Sequence, residues 1–217
     1  MTVPCKVDAW RFVQTRGPEA TEAEAVNTVS RDGNGMIRGD NTDGAGMLQD
    51  MTGNLGWTLA GRRVLLLGAG GAVRGVIPAL MKASPALVHV HNRTEETASK
   101  LVARFNHPAL TAVSALDLCS DYDVVINGTS AGLAGAAVNL PGRIVQAGTR
   151  CYDMIYGPGR TAFNRWCLEQ ADCEVSDGLG MLVEQAALSF NLWFDIKVKT
   201  VPVIESLRRA INEEAKR

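Results

Sequence analysis

From Leu59 onward, short β-rich apolar runs alternate with stretches whose apolar residues recur at helical spacing. Val64-Leu67, Leu87-His91, Val124-Asn127 and Cys151-Met154 read as strands, and Ala72-Ala83, Thr94-Phe105 and Thr161-Ala171 as the helices between them. Strand and helix in strict alternation predict an α/β fold, a parallel sheet with helices on both faces. Leu179-Phe194 is apolar nearly all round and long enough for about four turns, which predicts a helix buried between structural layers. Pro202 suits the first turn of a terminal helix, Val203-Lys216.

The first 45 residues follow a different pattern. A short amphipathic piece, Val7-Val13, precedes an apolar run, Ala25-Val29, and Asp32-Gly33-Asn34-Gly35 is a turn signal between two strands. So few residues cannot bury an independent core. They are expected to form part of a second, smaller α/β lobe, with Gly44-Leu55 as the helix leading out of it. The expected organisation is residues 1–45 as part of the smaller lobe and 46–200 as the main α/β domain. Residues 201–217 then form a helix packing back toward the small lobe. Internal repeats and low-complexity tracts are absent.

Charge and composition narrow the function classes. A formal net charge of -1 provides no broad basic surface for nucleic acid, and no apolar run approaches the ~18 residues of a membrane helix. Small molecules are the expected partners, with a homodimer as the assembly to test. The N-terminal residues lack a charged region followed by an apolar core, so a cytoplasmic location is expected. Cys5, Cys119, Cys151, Cys167 and Cys173 are odd in number and show no CxxC spacing, which predicts reduced, mostly buried thiols and no zinc site.

The chemistry begins where Val64-Leu67 runs into Gly68, Ala69, Gly70, Gly71 and Ala72 and then into a helix. Glycines there permit positive φ and let the backbone approach a pyrophosphate, whose charge the helix N-terminus stabilises. The loop predicts a dinucleotide site on a Rossmann-type, doubly wound sheet. Gly75 falls later than the usual third glycine, which shifts how the helix sits over the sheet. About 20 residues on, where an acidic residue would accept bonds from the ribose of NAD, the chain reads His91-Asn92-Arg93-Thr94. A guanidinium there pairs with a 2′-phosphate, so NADP(H) is the expected cofactor. His89 and His91 share a strand face without a third ligand, which speaks for packing and against a metal.

Further stretches carry a family resemblance: Thr2-Val3-Pro4-Cys5-Lys6, Ala25-Val26-Asn27-Thr28, Gly39-Asp40-Asn41-Thr42-Asp43-Gly44, Asn127-Gly128-Thr129-Ser130, Tyr152-Asp153-Met154-Ile155-Tyr156 and Asp177 through Gln185. With the glycine loop and Asn92-Arg93-Thr94, and in this order, the chain resembles the shikimate dehydrogenase family along essentially its whole length. The resemblance implies an NADP-dependent oxidoreductase that interconverts 3-dehydroshikimate and shikimate in aromatic amino acid and chorismate biosynthesis. It implies Lys6 and Asp43 as the catalytic pair and Thr2, Asn27, Tyr156 and Gln185 as substrate-binding residues. Gly68, Ala69, Gly70, Gly71, Ala72, Asn92, Arg93, Thr94, Thr129, Met154, Gly178 and Met181 would line the cofactor site. Reducing a ring ketone takes a hydride and a proton, and a lysine beside a carboxylate can deliver the proton to the developing alkoxide.

The chain also departs from the family. Members carry a further lobe half ahead of Lys6, with a Ser-x-Ser pair for the substrate carboxylate, and Met1 stands inside a motif that usually reads Asn-Val-Thr-Val-Pro-Phe-Lys. On that reading the chain is truncated at its N-terminus, and the alternative to an active enzyme is a catalytically impaired NADP-binding module. Thr97 stands where many NADP-using members have a second arginine, and Thr94 lacks the acidic character of members that also take quinate, so shikimate is the expected substrate.

Overall fold

The structure is a computed structural model and describes residues 2, 5–129 and 139–215; Val3, Pro4, Ser130 and Lys216 of the stretches named above lie outside them. The smaller lobe comprises α1 (Lys6–Phe12), β1 (Thr15–Arg16), α2 (Pro18–Ala23), β2 (Thr28–Arg31) and β3 (Ile37–Asp40), whose strands form a sheet in the order β1-β3-β2. β2 and β3 are antiparallel around the expected Asp32–Gly35 turn, in which Asp32 Oδ1 accepts the Asn34 and Met36 amides. Ala9, Val13, Ala20 and Val26 bury this lobe's small core.

The larger sheet runs β6-β5-β4-β7-β8-β9 and is parallel throughout. Its strands are β4 (Arg63–Leu67), β5 (Leu87–His91), β6 (Leu110–Ala112), β7 (Val124–Asn127), β8 (Arg150–Asp153) and β9 (Glu174–Asp177). Strand order reverses between β4 and β7, and in doubly wound sheets the crevice above that point takes the ligand. Val64, Leu66, Val88, Val90, Val124 and Ile126 pack on one side against α4 (Gly71–Lys82) and α5 (Glu95–Phe105). Leu65, Leu67 and Val125 pack on the other against Phe163 and Cys167 of α6 (Ala162–Gln170).

α3 (Asp43–Gln49) leaves the small lobe, continues as a π-turn over Asp50–Asn54, and packs along α7 (Leu179–Phe194), which is followed by α8 (Val201–Glu214). The expected single helix Gly44-Leu55 is thus half α and half π. The expectation that Leu179-Phe194 is buried throughout holds only for its first half. Leu179, Gly180, Met181 and Val183 are buried, whereas Leu192, Trp193 and Phe194 are exposed, because α7, at 16 residues, outruns the seven-residue α3 it packs along. α8 is tied to the larger lobe by hydrogen bonds: Arg208 donates to Gly157 O and to Asp177, and Asn212 accepts the Gly159 amide. Only two of the five cysteines, Cys151 and Cys167, are buried; Cys119 and Cys173 are half-buried and Cys5 is exposed, so the thiols are not mostly buried.

Candidate active site

Lys6 opens α1 and Asp43 opens α3, and the two meet: Lys6 Nζ lies 2.6 Å from Asp43 Oδ2. Each is placed by its element. The Asp43 carboxylate sits at the start of a helix, where the backbone dipole favours negative charge, and its amide donates to Asn41 Oδ1. Asp43 is buried, while the Lys6 side chain keeps 14% of its exposure, so one end of the pair faces the cleft.

Asn27 joins the pair to α7. Its Nδ2 approaches Asp43 Oδ1 at 3.0 Å, Thr42 Oγ1 at 2.8 Å and Gln185 Oε1 at 3.1 Å, and its Oδ1 accepts the Thr42 amide and the Thr28 hydroxyl. Three residues of this network were not singled out from the sequence: the Thr42 hydroxyl donates to Gln185 O, and Ser189 meets both Thr28 and Thr42. Ser189 follows Gln185 by four positions, so helical spacing was the available signal. Thr2 lies apart from the network, exposed, its carbonyl accepting the Cys5 amide. Tyr156 is also exposed, on the loop after β8.

Close approach of helices brings this corner to the dinucleotide loop. A Cβ on Gly44 would stand 2.9 Å from Gly75 O and from Ala79 Cβ, so α3 and α4 touch backbone to backbone. Gly75, late for a phosphate-loop glycine, lies on this seam with its carbonyl facing Gly44, and its pro-Cβ position is at ordinary contact distance, 3.4 Å, from Asp43 Oδ2. Across the same side, Lys82 pairs with Glu19, Arg104 with the Glu24 carboxylate, and Arg74 donates to Glu24 O. These contacts tie α2 and its C-cap to α4 and α5.

The glycine loop fits a pyrophosphate. Gly68 has φ +101, and a Cβ at Gly70 or Gly71 would meet nothing within 4 Å, which leaves the backbone open on the crevice side. Gly70 caps α4, whose first hydrogen bond is Arg74 N to Gly70 O, so the preceding amides lack helical partners and can hold an anion. Ala69 and Ala72 flank this turn. At the end of β5, Asn92 Nδ2 bonds Thr94 O and Arg93 is exposed. Thr129, Met154 and Gly178 close the floor: Gly128 would strike Met154 Sδ at 3.0 Å if it bore a Cβ, and Gly178 would strike Met154 O at 2.2 Å. Met181 sits in the main core one turn before Gln185.

Beneath the floor, Tyr152 donates to the buried Asp50 at 2.6 Å, and Asn54 bridges Asp50 to the buried Glu184. Burial pushes the Asp50 carboxyl above its ordinary range, opposed by the bonds from Tyr152 and Asn54 and reinforced by Glu184. Nothing in the sequence pattern marked this group. Among the described residues, no His, Cys, Asp and Glu gather as metal ligands, and no helix is long and apolar enough to cross a membrane.

Residues 50–135 match the family model described as shikimate / quinate 5-dehydrogenase, and residues 178–208 that of the shikimate 5′-dehydrogenase C-terminal domain. The chain is 49% identical over 209 residues to the shikimate dehydrogenase (NADP(+)) of Alkalilimnicola ehrlichii, covering 96% of this chain and 77% of that protein. It is 46% identical over 216 residues to that of Cellvibrio japonicus, covering 99% and 78%. Among solved structures it is similar to an Ael1 enzyme from Pseudomonas putida, with TM-score 0.89, 38% identity and coverage of 95% and 76%. It is also similar to shikimate 5-dehydrogenase from Thermus thermophilus in complex with NADP(H) and shikimate, with TM-score 0.85, 34% identity and coverage of 96% and 77%.

Proposed function

The chain belongs to the shikimate dehydrogenase family, and on that premise we propose that Lys6 and Asp43 carry the proton-transfer half of its reaction. It is an NADP-dependent oxidoreductase acting on a CH–OH group, interconverting shikimate and 3-dehydroshikimate. The observation that carries the assignment is the 2.6 Å contact of Lys6 Nζ with Asp43 Oδ2 beside Asn27 and Gln185.

When bound, NADPH supplies the hydride to the carbonyl carbon. Lys6 donates its proton to the carbonyl oxygen, and its charge stabilises the alkoxide as that forms. Asp43 holds the ammonium in place and offsets its burial. Asn27, Tyr156 and Gln185 are assigned to the substrate hydroxyls, and Thr2 to the rim of the same site. Gly68 through Ala72, with Asn92, Arg93, Thr94, Thr129, Met154, Gly178 and Met181, are assigned to the cofactor. Residues 1–45 then act as part of the substrate lobe, 46–200 as cofactor domain and 201–217 as the C-terminal helix packing back toward the substrate lobe. We place the enzyme in the cytoplasm, with reduced thiols, and take the homodimer as the assembly to test by ultracentrifugation.

The deciding experiment follows NADPH formation by absorbance with shikimate and NADP, and NADPH binding by fluorescence in the same sample. Turnover supports the enzyme reading. NADPH binding without turnover would instead make the chain a cofactor-binding module. Arg93→Ala is expected to raise the NADP Michaelis constant by about tenfold, the size of one charge-assisted hydrogen bond, and to leave that for NAD nearly unchanged. An unaltered NADP-to-NAD preference would remove Arg93 from the 2′-phosphate site.

A further inference from the structure

We propose that Asp153, which faces neither the Lys6–Asp43 pair nor the glycine loop, is the positioning residue that locks together the two loops flooring the cofactor crevice. This inference rests on the cofactor site as assigned above. Asp153 ends β8, fully buried, between Asn127 at the end of β7 and Asp177 at the end of β9. One of its oxygens does two tasks. Oδ1 accepts the Ile155 amide at 3.1 Å, which fixes the turn carrying Met154 and Tyr156, and accepts Asn127 Nδ2 at 3.0 Å. Asn127 in turn uses Oδ1 to hold the Thr129 amide at 3.1 Å and the Thr129 hydroxyl at 2.7 Å.

The result is one unbroken chain of hydrogen bonds, Ile155 to Asp153 to Asn127 to Thr129, running from one crevice loop to the other. The packing above it is equally tight, since Gly128 lies under Met154 Sδ and Val73. A shift of either loop therefore moves the other. Oδ2 is buried without a well-formed hydrogen bond, and burial pushes the carboxyl's pKa up, partly opposed by the Thr161 side chain, the Ile155 amide and Asn127. A neutral side chain of the same shape should thus serve nearly as well as the acid, provided that it keeps an acceptor where Oδ1 stands.

The test uses the full chain with NADPH as the probe. Asp153→Ala should weaken NADPH binding per folded molecule by about tenfold, the size of a lost buried hydrogen bond, whereas Asp153→Asn should restore it to within about twofold of the parent. Thermal melting reports the folded fraction, so a role confined to stability would lower the melting temperature and leave the dissociation constant of the folded molecules unchanged. That outcome overturns the inference. If Asp153→Ala does not fold, Asn127→Ala cuts the same chain at its next link and should weaken NADPH binding comparably; parent-like affinity there overturns the inference too. A parent chain that fails to bind NADPH would overturn the cofactor reading and this inference with it, whereas parent binding matched by Asp153→Ala sinks the inference alone.

Discussion

Replacing Lys6 by alanine is expected to lower kcat for shikimate oxidation by about three orders of magnitude, while NADPH binding stays within about twofold of the parent. The size follows from what is removed. On the role proposed for it, Lys6 donates the proton in the reductive direction and its charge stabilises the oxygen that gains charge, so its removal takes away proton transfer and electrostatic stabilisation together. The cofactor loop at Gly68–Ala72 is a separate part of the structure, placed by β4 and α4. The side chain also neutralises a buried carboxylate at 2.6 Å, so some stability is lost as well. Asn27 still donates to Asp43 Oδ1, which limits that loss and keeps the variant measurable. Stopped-flow turnover and NADPH fluorescence titration on one preparation separate the effects. Unchanged turnover would take Lys6 out of the mechanism, and loss of both signals would mean that the pair supports the fold before it supports chemistry.

The sequence made the larger lobe legible because buried parallel strands such as Val64-Leu67 and Val124-Asn127 are apolar runs, and because a glycine turn between strand and helix has few other uses. It hid the short edge strands. β9, Glu-Val-Ser-Asp, carries acids at both ends, and β6 is three residues long, so neither shows a period to read. In the small lobe, β1 has only two residues and α2 six, and both are held by contacts distant in sequence. The same reason limits the site. Lys6 and Asp43 stand 37 positions apart and show no mutual spacing, so only the motifs around them pointed to a pair. Thr42, Ser189, Asp50 and Asp153 act through partners on other elements. Gly75 reads as an irregular phosphate-loop glycine, yet the glycine that lets α3 lie against α4 is Gly44, whose Cβ would strike Gly75 O, whereas a Cβ on Gly75 would make only ordinary contacts.

Gly46→Ala is expected to lower kcat by about two orders of magnitude and the melting temperature by about 5 °C, although the residue touches no ligand. α3 and α7 approach so closely at Gly46 that a Cβ there would lie 2.6 Å from Gln185 N and 2.9 Å from Gln185 Cα. Those are backbone atoms of a helix, and they cannot rotate away. α7 would have to retreat from α3 by roughly an ångström, at an overpacking cost of about 1–3 kcal/mol. That movement separates the two sides of the hydrogen-bond network, because Asp43 opens α3 and Thr42 caps it while Gln185 and Ser189 belong to α7, and Asn27 spans them. An ångström of misalignment at reacting groups is enough for about a hundredfold in rate. Gly180→Ala provides the comparison on the same seam, since its Cβ would fall 2.0 Å from Asp50 Oδ1, a carboxylate held by Tyr152 and Asn54. Gly180 lies five residues before Gln185, so that variant should cost stability at least as much and rate less. Calorimetry and kcat on both variants decide the matter: a Gly46→Ala protein that melts normally and turns over normally would mean that the seam has room to spare, and that the network does not depend on how closely α3 and α7 approach.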